Sequence, residues 1–261
     1  MSKRKTSALR TQDTRFSHTK KHSEQTFYTH ESKTIDFSQA HKELRVNKKP
    51  IHLIPKSLNQ EKYIIALTDP NTDIVVVGGP AGTGKTYLAM QAAIKAMREG
   101  ECDRIILTRP AVGVDDEKHG FLPGDINQKM EPWTRPIFDV FEEYYHPREV
   151  AAMLDDGVIE ISPLAYMRGR TFKNAFVIAD EMQNATPSQM KMLLTRIGEN
   201  SRMVVTGDLA QADRLEDNGL IDFCKLLEAK NKLTHIDIVQ FDHRDIERHN
   251  AVKEVLSVYG E

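Results

Sequence analysis

Eight consecutive residues constrain this chain more than any others: Gly79-Pro80-Ala81-Gly82-Thr83-Gly84-Lys85-Thr86. They match G-x-x-x-x-G-K-[ST] in full, a pattern that carries meaning only between a buried strand and a helix. That context is present. Ile74 to Val77 is an apolar run ending in Gly78-Gly79, and after it Leu88, Ala92 and Ala96 recur at helical spacing until Gly100. Glycines in such a turn let backbone N–H groups wrap a phosphate without side-chain clash, and the helix start adds a favourable dipole. Gly79, Pro80, Ala81, Gly82, Thr83 and Gly84 are therefore expected to cradle the phosphates of ATP. Lys85 is expected on the β- and γ-phosphates, and the Thr86 hydroxyl on Mg²⁺.

Downstream, short apolar runs alternate with helical periodicity. Strands are expected at 105–107, 158–161, 176–179, 203–206 and 235–239, and helices near 187–197, 219–230 and 245–258. Glycines and prolines mark 109–125 as a long loop, and Pro132 and Pro136 predict a broken helix over 125–145. This alternation predicts an α/β fold, a single parallel sheet with helices on both faces. Such sheets bind ligands at the carboxyl ends of their strands.

Two further strand ends carry chemistry. Phe176 to Ala179 closes on Asp180-Glu181, and consecutive side chains leaving a strand point differently, so the two acids need not share one task. Asp180 is placed to hold Mg²⁺, and Glu181 to orient and activate the attacking water. The third end reads Val204-Val205-Thr206-Gly207-Asp208-Leu209-Ala210-Gln211. A neutral amide there, Gln211, can sense a γ-phosphate and move when it leaves.

Charge divides the chain. Residues 1–50 hold 12 Lys and Arg against 5 Asp and Glu, leaving 24 against 33 in residues 51–261. The first fifty residues have no Gly and few aliphatic side chains, so they are expected to form a flexible basic extension ahead of a single domain. Such a tail either reaches nucleic-acid phosphates or is simply solvated. No apolar run approaches the ~18 residues of a membrane span, and the basic start lacks a secretory apolar stretch. Two cysteines, Cys102 and Cys224, lie far apart in no paired motif, which fits a reducing cytoplasm. The ten histidines do not form a metal set.

The segments GGPAGTGKT, LTRPAVGVDDEKHGFLPGD, SPLAYMRGRTFKNAFVIADEMQN, VVTGDLAQ and RDIERH resemble the PhoH-like family of P-loop ATPases, over about residue 50 to the end. That family is similar to the nucleotide-binding core of superfamily-one helicases, and the resemblance implies a RecA-like domain. It implies that Gln60, ahead of the P-loop, reads adenine, although an exposed glutamine at a helix start fits the same position. It matches Asp180-Glu181-Met182-Gln183 to the family's acidic motif, with methionine where alanine is frequent, and Gln211 to its γ-phosphate sensor. Arg244 and Arg248 lie where an arginine finger belongs, or form ion pairs on a surface helix. Residues 51–261 suffice for one ATPase domain, so a finger would come from a neighbouring copy, implying a homo-oligomer of the hexameric-ring kind. Arg168 and Arg170 are candidates for phosphate contacts or for surface salt bridges, and Trp133 for base stacking or for core packing. Some relatives carry a nuclease domain ahead of the ATPase; residues 1–50 are too short and too polar for one, so no nuclease activity is expected.

Together these features predict Mg²⁺-dependent ATP binding and hydrolysis, coupled to single-stranded RNA or DNA. Two alternatives stay open. One is an ATP-controlled assembly switch with little turnover. The other, less favoured, is a small-molecule kinase, against which stands the pairing of Asp180-Glu181 with a downstream glutamine.

Overall fold

The computed structural model describes residues 49–110, 135–208, 218–230, 233–247 and 250–259, all within the compact unit Asn47–Glu261. Expectations for the 1–50 extension, for Trp133, Gln211 and Arg248, and for nearly all of the 109–125 loop fall outside these residues. Six strands, β1 (Ile74–Gly78), β2 (Arg104–Arg109), β3 (Ile159–Pro163), β4 (Ala175–Ala179), β5 (Arg202–Gly207) and β6 (Ile236–Gln240), form one sheet in the order β3-β2-β4-β5-β1-β6. Every pairing is parallel. The helices are α1 (Leu58–Thr68), α2 (Lys85–Glu99), α3 (Pro147–Asp155), α4 (Pro187–Leu194), α5 (Gly219–Glu228) and α6 (Asn250–Tyr259); residues 135–142 are also helical.

Period-two geometry splits the strands into two cores. Val75, Val77, Ile105, Leu107, Phe176, Ile178 and Val204 face one way, packed with Tyr63 of α1 and with Leu88, Ala92 and Ile94 of α2. Ile74, Val76, Ile106, Val177, Met203 and Val205 face the other way, with Met190 and Leu193 of α4 and Leu220 of α5. Both faces are covered, which is why the central strands read as unbroken apolar runs rather than as alternations. The architecture is the RecA-like α/β fold that the sequence predicts. β5 lies between β1 and β4, so three carboxyl ends carrying the motifs converge at one edge.

The sequence reading omits α1 and α3 and starts α6 too early. Helix α3 has His146 as its N-cap, accepting from the Arg148 amide, with Pro147 in its first turn and Glu149 closing a capping box. Histidine is not a usual cap signal. Ahead of α6 the chain makes a 3₁₀ turn, His243–Asp245, capped by Asp242; its acids and arginines mimic the first turn of the later helix. No helix among the described residues is long and apolar enough to cross a membrane.

Candidate functional site

Between β1 and α2 the chain must turn at once from a fully buried strand into a helix. Gly79, Gly82 and Gly84 take φ of 142°, 82° and 83°, a region that L side chains rarely adopt. A Cβ on Gly79 would stand 2.6 Å from Phe241 Cβ and 2.7 Å from the Phe241 carbonyl oxygen. The loop is braced from behind by two elements distant in sequence. From α1, the Gln60 amide nitrogen donates to the Thr83 carbonyl at 3.1 Å and the Tyr63 hydroxyl donates to the Lys85 carbonyl at 3.1 Å. From the segment after β6, the Phe241 amide donates to Gly78 O at 2.8 Å and the Glu247 amide to Gly82 O at 3.0 Å. Tyr63 and Phe241 meet edge to face, centroids 5.6 Å apart. Burial, with the Asp180 charge adding, pushes the Tyr63 phenol well above its usual value of 10.0, so it remains a donor.

Lys85 lies folded onto its own loop, Nζ 2.7 Å from the carbonyl oxygens of both Gly79 and Pro80. Burial lowers its pKa from 10.5, while Asp208, Glu181 and Asp180 work in the opposite direction. The first internal bond of α2 runs from the Leu88 amide to Gly84 O at 2.9 Å. The amides of Lys85, Thr86 and Tyr87 ahead of it have no acceptor within the helix, and all three residues line the cleft.

The opposite wall is made of side chains. Thr86 Oγ1 donates to Asp180 Oδ1 at 2.8 Å, and the Thr206 hydroxyl of β5 donates to the same oxygen. Glu181 follows in a left-handed turn, φ 55°, and its side chain takes partners other than those of Asp180. Arg109 Nη2, at the end of β2, stands 3.3 Å from Glu181 Oε1, and Gln183 Nε2 donates to Glu181 Oε2. Gln183 is itself buried; its Oε1 accepts the Asp208 amide at 3.1 Å and its carbonyl accepts Asn218 Nδ2 at 2.6 Å. The end of β5 thus touches both acids, Asp180 through Thr206 and Glu181 through Gln183. The two walls enclose a cleft of about 280 Å³ lined by P-loop residues, Tyr87, Asp180, Glu181, Thr206, Gly207 and Asp208.

Of the residues expected at the site, Lys85, Thr86, Asp180 and Glu181 are brought together. Gln60 reaches the P-loop from behind: it is 4% exposed, and its Oε1 accepts the Lys56 amide at 2.8 Å. Arg244 is exposed, 89% by side chain, and bonded to Asp242 at 2.6 Å, which holds the Asp242 carboxyl down at about 2. Arg170 is bound to Glu160 of β3 through both terminal nitrogens and lies 5.4 Å over the Phe172 ring, the salt bridge that stood as its alternative to a phosphate contact. Arg109, Thr206, Tyr63, Phe241 and Tyr87 were not singled out by sequence. Arg109 and Thr206 sit at strand ends, which is a usable signal; the others carry none. A larger groove of about 600 Å³ opens at the amino ends of the strands. Its Arg202 is committed to the carbonyls of Leu67 and Asp69.

The PhoH-like protein family model matches residues 52–260. A PhoH-like protein of Synechocystis sp. is 45% identical over 209 residues, covering 78% of this chain and 61% of the relative. One of Bacillus subtilis is 41% identical over 224 residues, covering 85% and 68%. Protein PhoH of Escherichia coli is 38% identical over 218 residues, covering 80% and 58%. The chain therefore spans about three-fifths of the length of most of the curated relatives it matches. Among solved structures, the Pyrococcus furiosus Hef helicase domain aligns with 74% of this chain and 39% of its own, at 12% identity and a TM-score of 0.43.

Proposed function

The chain belongs to the PhoH-like protein family of P-loop NTPases, and from that premise we propose that it binds ATP with Mg²⁺, hydrolyses it, and couples the hydrolysis to single-stranded RNA or DNA. The observation that carries the proposal is the 2.8 Å contact between Thr86 Oγ1 and Asp180 Oδ1. It joins the P-loop to the acidic strand end across 94 positions and sets two oxygen ligands side by side. A hard cation that keeps several waters suits such a set. Mg²⁺ bound there would draw charge from the phosphate oxygens.

The protein's own groups divide the remaining work. The amides of Lys85, Thr86 and Tyr87 receive the phosphates at the start of α2. Lys85 exchanges the Gly79 and Pro80 carbonyls for phosphate oxygens. Glu181 turns from Arg109 and Gln183 to orient a water in line with the γ-phosphate, and Gln211 responds to the presence of that phosphate. Arg244, carried on the surface beside the P-loop brace, or Arg248 supplies the finger to the cleft of a neighbouring copy. The exposure of Arg244 supports delivery outward rather than inward.

Steady-state ATP hydrolysis with and without single-stranded RNA and DNA, beside Glu181→Gln, tests the proposal. Removing the base should lower kcat by ~10²–10⁴ while leaving ATP bound. Stimulation by one polymer, lost in the variant, supports coupling and identifies its track. Hydrolysis indifferent to both polymers overturns the coupling, and ATP bound without turnover overturns the hydrolysis.

A further inference from the structure

The phosphate end of the cleft is furnished twice over, whereas the end that would receive the base has one distinctive side chain among the described residues. Tyr87 follows Thr86 directly and is the third residue of α2. Its amide is the last of those the first turn directs at a phosphate, so a nucleoside attached to that phosphate continues past this residue. Tyr87 lines the cleft and is 40% exposed, unusual for a large ring in the first turn of a buried helix. Its far end is fixed: the hydroxyl donates to Glu143 Oε2 at 2.9 Å and accepts from Gln91 Nε2 at 2.9 Å. A ring held at its tip loses little freedom when a flat partner lies against it.

Two other observations point to the same place. The cleft, at about 280 Å³, falls just short of the ~300–1,000 Å³ that pockets use to enclose a whole ligand, which leaves the base at the rim. Gln60, the residue that would read the edge of adenine, has its Nε2 on Thr83 O and its Oε1 on the Lys56 amide, with its side chain buried behind the loop.

We propose that Tyr87 is the base platform of this site, stacking on the nucleotide base, so that the cleft selects nucleoside triphosphates over bare polyphosphate while discriminating weakly among bases. This rests on the nucleotide-binding function proposed above. Every base has a π-face, so a stacking contact contributes affinity without reading sequence or identity.

Calorimetric titration of the full chain with ATP, GTP and inorganic tripolyphosphate, each with Mg²⁺, separates the contributions. Tyr87→Ala should weaken ATP and GTP about tenfold and leave tripolyphosphate unchanged. Tyr87→Phe, which keeps the ring, should stay within about threefold of the parent for all three. In the parent, ATP and GTP should differ by less than about tenfold. Equal losses for ATP and tripolyphosphate in Tyr87→Ala would show a damaged phosphate loop and overturn the proposal. So would unchanged ATP affinity, or a parent preference for one base above about a hundredfold. A parent that binds none of the three overturns the nucleotide-binding function itself, a result distinct from each of these.

Discussion

On its P-loop wall the cleft is held through the loop's own backbone carbonyls; on its carboxylate wall it is held from side chain to side chain. The first wall is closed by carbonyls of residues 78–85, which accept from the Gln60 and Tyr63 side chains of α1 and from backbone amides after β6, and Gly79 leaves no room there for a side chain. The second depends on hydroxyls, an amide and a guanidinium: Thr86 and Thr206 on Asp180, Gln183 and Arg109 on Glu181. Backbone contacts pre-organise an anion cradle. Side-chain contacts rearrange by rotamer changes alone, and each partner of Asp180 and Glu181 must yield for the proposed chemistry to proceed. Binding is thereby assigned to the rigid wall and turnover to the adjustable one.

The severest way to break that contrast is Gly79→Ala. Its Cβ would meet Phe241 within 2.6 Å at a φ of 142°, so we expect a loss of ~3 kcal/mol or more of stability, with nucleotide binding lost alongside. Gly100→Ala is the control: φ is again positive, at 78°, but nothing lies within 4 Å. It should lower stability by only the ~1–2 kcal/mol of left-handed strain, with binding intact. Thermal melts with and without ATP distinguish the two. Equal effects would mean that positive φ, rather than the Phe241 brace, is what the wall requires.

On the adjustable wall the expected signature is reversed. Gln183→Ala releases Glu181 and removes the Gln183 Oε1 that accepts from the Asp208 amide. The kcat should fall by ~10–100-fold, as for a displaced catalytic group, with the ATP dissociation constant within about threefold. Arg109→Gln should likewise change kcat more than affinity. If either variant loses binding in proportion to turnover, the two walls are not separable. Smaller in effect is Gln60→Ala, which leaves the Thr83 carbonyl without its buried donor and should lower stability by ~1–3 kcal/mol. A melting temperature unchanged by it would remove α1 from the brace.

How much of this could be read from sequence follows the same division. The P-loop announces itself because its steric demands fall on neighbouring residues, and the strands do because burial on both faces leaves apolar runs. Asp180 and Glu181 are visible for the same local reason, at the end of such a run. The brace is not visible, since Gln60, Tyr63, Phe241 and Glu247 meet the loop from as far as 165 positions away and use ordinary amides, a phenol and a ring. Gln60 was assigned a task at the ligand by resemblance, yet both of its amide groups are satisfied inside the protein. Tyr87 carries no signal in the sequence, because an aromatic residue in an amphipathic helix belongs, by pattern alone, to the core.

The mildest expected effect lies outside the cleft and tests whether the adjustable wall is special. Arg170 and Glu160 also form a side-chain ion pair, but one that no proposed step disturbs. The hydrogen bonds from Arg170 outweigh burial and hold the Glu160 carboxyl below its usual 4.5. A carboxyl whose folded value is depressed contributes stability that is fully present above its unfolded value and is lost as pH falls through the folded one. Arg170→Gln should therefore lower the melting temperature by a few degrees at pH 7, the pair being partly exposed and modest in strength. That difference from the parent should narrow as the pH drops below about 4.5, with kcat at pH 7 unaffected. A variant that melts like the parent but hydrolyses ATP more slowly would return Arg170 to the phosphate-contacting role that its neighbourhood in the sequence suggests.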